Sequence, residues 1–158
     1  LRRDEDVLAL REGLADGTID IVATDHAPHP TEAKECAWPE AANGMVGLES
    51  ALSVVQAAVV ESGQLSWSDV ARVLSSTPAE IGRLAGYDRA LQPGTPANLT
   101  LIDPSARRSF STADLHGRST NSPYLDRELP GRVVHVLHGG RVTVADGILV
   151  QPETLEVH

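Results

Sequence analysis

Residues 19–25, IDIVATD, constrain the fold more than any other stretch of the chain. They form a short, β-branched-rich apolar run bounded by turn residues, with Asp16-Gly17 before it and Pro28 after it. A run this short and this continuously apolar suits a strand buried on both faces, as in a parallel sheet covered by helices. The flanks agree. From Asp4 onward Val7, Leu8, Leu10 and Leu14 fall on an amphipathic helical pattern, and Asp4, Glu5 and Asp6 occupy its first turn, where carboxylates complement the helix dipole.

Downstream, the stretch from Pro28 to Gly47 has three prolines and two glycines and little periodicity. At roughly 20 residues it exceeds the usual 4–6 of a connection, and loops of that length are mostly functional or disordered. GLESALSVVQAAVVESG then predicts a helix over 48–61, ending before Gly63. SWSDVARVLSSTPAEIGRLAG predicts two shorter helices, with Ser66 and Ser68 as candidate N-caps, Pro78 near the first turn of the second, and Gly86 as its stop. Beyond Gly86 the texture changes. ANLTLID reads as a strand between proline-rich turns, and RVVHVLHGGRVTVADGILV as a hairpin about Gly139-Gly140 with a further turn at Asp146-Gly147. Two parts are therefore expected: 1–86, which is α/β, and 87–158, which is mostly β.

Composition narrows the function classes. A formal net charge of -9 argues against a nucleic-acid partner, which needs clustered Lys and Arg against phosphate. No apolar run approaches the roughly 20 residues that span a bilayer, so no membrane role is expected. A single cysteine, Cys36, builds no disulfide framework and fits a reducing cytoplasm. Aromatic residues make up only 3% of the chain, so the core must be aliphatic. The chain opens on Leu1 and enters a helical pattern almost at once, which leads to the expectation that its front part is missing.

The candidate chemistry lies at the end of the apolar run, in TDHAPH. Asp25 can ligate a cation and His26 or His29 can offer nitrogen, at the strand end where α/β barrels build their sites. A turn with solvated polar residues explains the same letters, and the local sequence leaves both readings open. His135 and His138, three apart on a strand, fall on opposite faces and cannot readily share a metal. His116 and the terminal His158 read as structural or solvated. Cys36 reads as a small packing residue, because no oxyanion hole is in sight.

Taken together, DGTIDIVATDHAPH, the lysine at 34, GMVGLESAL, STPAEIGRL, GTPANLTLID and STNSPYLDRELPGRVVHVLHGGRV resemble, in the family's order, the C-terminal portion of the dihydroorotases of the amidohydrolase superfamily. The resemblance implies the end of a metal-dependent (β/α)8 barrel, its last strand and flanking helices, followed by the C-terminal β segment of a small composite β-sandwich. It implies reversible interconversion of L-dihydroorotate and N-carbamoyl-L-aspartate in pyrimidine synthesis, with one or two zinc ions per site. Asp25 would be both a zinc ligand and the general acid/base. His29 would bind the substrate α-carboxylate, backbone groups at Asn43 and Gly44 would contact the ring, and His26 would play a supporting part. Residues 30–42 would cover the site. Hydantoinases and allantoinases are similar at the Asp-His but usually lack a histidine at the place of His29. The family's remaining metal ligands, its His-x-His pair and bridging group among them, are not in this sequence. The active centre would therefore need the other half of the barrel, and the chain alone would be inactive, either as part of an enzyme or as a non-catalytic partner. Some members form homo-oligomers or associate with aspartate transcarbamoylase.

Overall fold

The computed structural model describes residues 3–87 and 91–150. Helix α1 (Asp4–Asp16) ends at Gly17, where the Asp-Gly pair placed its stop. Its apolar stripe is only partly used: Gly13 is buried and Leu14 packs on the core, while Leu8 and Leu10 remain exposed. The run that follows is extended but carries no ladder. A central strand takes its hydrogen bonds from neighbours on either side, and the described residues supply only a parallel bridge between His26 and Met45. The Val22 N–H donates instead to the Val73 carbonyl, at 3.0 Å.

Short helix α2 (Thr31–Lys34) lies within the long loop. Helix α3 (Ala51–Val55) begins three residues later than the periodicity suggests. It continues through a wide turn, Gln56–Val60, in which the Glu61 N–H reaches back five residues to the Gln56 carbonyl at 3.0 Å. Of the two candidate caps, Ser66 is the one used. Its Oγ accepts the Asp69 N–H at 3.3 Å, and Asp69 Oδ2 accepts the Ser66 N–H at 2.9 Å, a reciprocal capping box. Helix α4 (Trp67–Ala71) then runs through a second wide turn, Arg72–Ser76, into α5 (Thr77–Ile81). The two helices expected there are thus one continuous rod. Pro78 accounts for the wide turn, since it has no N–H to donate and its ring presses on the carbonyl four residues back.

The main core cluster is aliphatic, in keeping with the composition: Val55, Val59, Leu65, Val70 and Val73 are buried, with Leu14, Val22 and Leu52 packed against them. Against this layer sits an antiparallel meander, β1 (Leu99–Ser109), β2 (Glu128–His138), β3 (Arg141–Ala145) and β4 (Ile148–Leu149), in sequence order. Its two tight turns are those read from the sequence. Gly139 and Gly140 have φ of 57° and 81°, and Asp146 and Gly147 have 53° and 77°, the paired left-handed geometry that matches strand twist.

Strand β1 is longer than ANLTLID and is bulged between Asp103 and Arg107. Pro104, which cannot donate to a ladder, sits in the bulge. Its carbonyl accepts from the buried Gln56 Nε2 at 2.9 Å, and Arg107 pairs with Glu61 at 2.6 Å. These contacts dock the sheet on the α3 rod. Between β1 and β2 the chain makes an excursion, residues 111–126. Its base is closed at buried Phe110, whose N–H and carbonyl bond to Arg127 and Asp126 at 2.9 and 2.8 Å.

Elsewhere, His135 lies 3.7 Å from Asp146, and His138 Nε2 meets the Tyr87 hydroxyl at 2.8 Å. His116 is exposed, its backbone N–H donating to Glu49 at 3.1 Å. His158 lies outside the described residues. Cys36 corrects the sequence reading: it is exposed, and so is no packing residue.

Candidate active site

Asp25 stands at the end of the extended run with φ of 45°. Few residues other than glycine adopt a left-handed backbone, and aspartate is among those that tolerate it. Such a conformation persists only where surrounding structure holds it, often at a functional site. Here the holding structure is the return of the long loop. The Ala27 N–H donates to the Met45 carbonyl at 2.9 Å, and Gly47 lies so close to Thr24 that a Cβ there would come within 3.2 Å of the Thr24 carbonyl. His26 serves this closure. Its Nδ1 accepts the N–H groups of Gly47 and Leu48 at 3.1 and 3.4 Å, which places the ring proton on Nε2.

The side chain of Asp25 opens onto a cleft of about 850 Å³. Lys34, Trp38, Gly44 and the 120–123 segment share its walls. Trp38 is 92% exposed, so the loop tip stands over the opening rather than packing into the core. Behind Gly44, His29 Nε2 donates to the Asn43 carbonyl at 2.8 Å. Gly44 itself has φ of 107°, and a Cβ there would lie 2.6 Å from that of Ala27. Thus Asp25 and Gly44 line the cleft directly, and His29 and Asn43 form a bonded pair adjoining its wall.

Two residues absent from the sequence-based site hold this wall. Lys34 Nζ donates to the carbonyls of Ala42 and Gly44, at 2.6 and 3.0 Å. Asn121, from the excursion between β1 and β2, bonds to Ala27, His29 and Gly44. Lys34 carried a faint signal as the chain's single lysine. Asn121 lies in a stretch that carries the resemblance, STNSPY, but nothing local singled it out, because TNSPY reads as an ordinary turn.

The donor set for a metal is incomplete. Among the described residues no group of three or more His, Cys, Asp and Glu side chains could hold an ion. His26 Nδ1 is engaged by backbone N–H groups and His29 Nε2 by Asn43, so the chain fits a metal centre only as the contributor of the Asp25 carboxylate.

The amidohydrolase family model matches residues 1–143. Over 151 residues the chain is 64% identical to the dihydroorotase of Leifsonia xyli, covering 96% of this chain and 34% of that protein. It superposes on the L-hydantoinase (dihydropyrimidinase) of Arthrobacter aurescens with a TM-score of 0.85 at 28% identity, over 95% of this chain and 34% of the other. On the inactive dihydroorotase-like domain of a CAD-like multifunctional protein from Chaetomium thermophilum the TM-score is 0.64 at 26% identity, over 97% of this chain and 40% of that one. The chain therefore spans about a third of the length of the curated relatives it matches. The α/β class and barrel-end architecture read from the sequence agree with these superpositions.

Proposed function

The chain belongs to the amidohydrolase family, and we propose that it is the last-strand portion of a cytoplasmic dihydroorotase. The reaction is interconversion of L-dihydroorotate and N-carbamoyl-L-aspartate by opening and closing one ring amide. The observation that carries this reading is the cleft in which left-handed Asp25 shares a wall with Gly44, backed by the His29–Asn43 pair.

Asp25 takes a proton from the attacking water and delivers it to the leaving ring nitrogen; in the reverse direction it removes and returns the same protons. Zinc, one or two ions per site with its other ligands outside this chain, supplies water of lowered pKa when bound. His29 binds the substrate α-carboxylate. The single N–H of its neutral ring is spent on Asn43, so donation to the carboxylate uses a protonated ring or displaces the Asn43 carbonyl. Backbone groups at Asn43 and Gly44 face the pyrimidine ring, and residues 30–42 cover it. The chain without the remaining ligands is inactive. Homo-oligomerisation and association with aspartate transcarbamoylase belong to the whole protein.

The likeness to an inactive dihydroorotase-like domain supports a second reading, a non-catalytic chain that steadies a partner enzyme. Both are tested on the complete polypeptide that carries this segment, by zinc content and by turnover of carbamoyl aspartate, dihydroorotate and hydantoin. Turnover of the first two with bound zinc is expected. Hydantoin as the preferred substrate overturns the choice of reaction, and a metal-free protein that turns over none of the three leaves the non-catalytic reading.

A further inference from the structure

We propose that Asn121 is a positioning residue for the substrate-carboxylate side of the cleft, a role that rests on the dihydroorotase reading. Its Oδ1 accepts the His29 N–H at 3.1 Å across 92 residues of sequence. Its Nδ2 donates to the Ala27 carbonyl at 3.0 Å and to the Gly44 carbonyl at 3.4 Å. Its own backbone carbonyl accepts the Val46 N–H at 3.1 Å. One side chain thus joins the outgoing limb of the loop, Ala27 to His29, to the returning limb, Gly44 to Val46. A planar amide suits this task because it presents an acceptor and two donors in one plane. A carboxylate of the same shape would accept from His29 yet face two carbonyl oxygens with a negative charge.

The anchor is itself held by contacts at its base. The excursion bearing Asn121 is closed at Phe110 and steadied by Arg108, whose guanidinium lies 5.3 Å from the Phe110 ring centre and pairs with Asp114. Thr120, Ser122 and Pro123 line the same cleft as Asp25. The β part of the chain therefore completes the substrate wall. Asn121 makes no bond to Asp25; it fixes the groups that hold substrate and leaves proton transfer to others.

The test is steady-state kinetics with carbamoyl aspartate on the complete zinc-loaded enzyme, comparing wild type, Asn121→Ala and Asn121→Asp, with thermal unfolding of each. Loss of positioning raises KM about tenfold in Asn121→Ala, and at least as much in Asn121→Asp, with kcat within about twofold of wild type. A merely structural residue lowers the active fraction, so that kcat falls and KM stays. Unchanged KM in a folded variant, or failure of both variants to fold, overturns the proposal. An inactive wild type overturns the functional reading and this role with it, whereas active wild type with unmoved KM overturns only the role of Asn121.

Discussion

Gly44→Ala tests the wall geometry most directly. The residue has φ of 107°, and an added Cβ would stand 2.6 Å from the Ala27 Cβ. Carbon atoms pack best at about 3.5–4.0 Å, so roughly 1 Å of separation must be found. Ala27 cannot readily supply it, because its N–H is bonded to Met45 and its carbonyl to Asn121. The Gly44 peptide must move instead, and it carries the carbonyl held by Lys34 and Asn121, next to the one held by His29. A displacement of about 1 Å at a positioning group costs up to about 100-fold in rate. The expected outcome for the complete enzyme is a 10- to 100-fold fall in kcat/KM, about 1.4–2.7 kcal/mol of transition-state binding. Gly63→Ala is the control: it has φ of 77° with nothing within 4 Å of its added Cβ, so it imposes left-handed strain without the clash. Steady-state kinetics on both variants decide the matter. A Gly44→Ala enzyme within about twofold of wild type, or one no worse than Gly63→Ala, would refute the reasoning.

Asp25→Ala removes the proposed proton carrier, and turnover of the complete enzyme should fall by at least the 10²–10⁴-fold typical of general acid–base catalysis, read in a coupled or direct absorbance assay. His29→Ala should raise KM for carbamoyl aspartate while sparing an uncharged cyclic ureide, which a side-by-side kinetic comparison would reveal. The Ser66 hydroxyl and backbone N–H, with Arg72 adding a smaller Coulombic share, hold the Asp69 carboxyl below its ordinary 3.8. A depressed folded-state pKa contributes stability above the unfolded value and loses it as pH falls through the folded one. Asp69→Asn should therefore show a shallower decline of thermal midpoint than wild type as pH is lowered through about 4 and below, and parallel declines would show that the cap contributes nothing on the acid side.

Local chemistry was legible in the sequence, and long-range geometry was not. The Ser66 cap, the stop at Gly17 and the turns at Gly139-Gly140 and Asp146-Gly147 depend on residues within a few positions, and each stands where the sequence placed it. The merging of two helices into one rod was not legible, because Pro78 is equally at home in a helix's first turn and after a wide turn. IDIVATD was legible as an extended apolar run, but its pairing depends on neighbours that local pattern cannot name. Cys36 failed for the same reason, since burial is decided by what the loop folds against.

The same division runs through the candidate site and explains why Asn121 escaped notice. Asp25, the proposed proton carrier, could be singled out because a carboxylate at the end of an apolar run admits a catalytic reading beside that of a solvated turn, and the resemblance chose between them. Nothing comparable marks the residues that hold the cleft wall. The Gly44 carbonyl is held by a cation ten residues upstream and an amide 77 residues downstream. Neither spacing is periodic, and neither residue type is unusual in a loop. A hydrogen bond of this kind contributes only about 1 kcal/mol, so it leaves no compositional trace to read. Its effect comes from convergence, because displacing this one peptide disturbs the bonds to Lys34 and Asn121 together and, through Asn43, the seat of His29. The cleft wall is therefore a property of the folded chain as a whole, assembled from the loop after the barrel strand and an excursion of the β part.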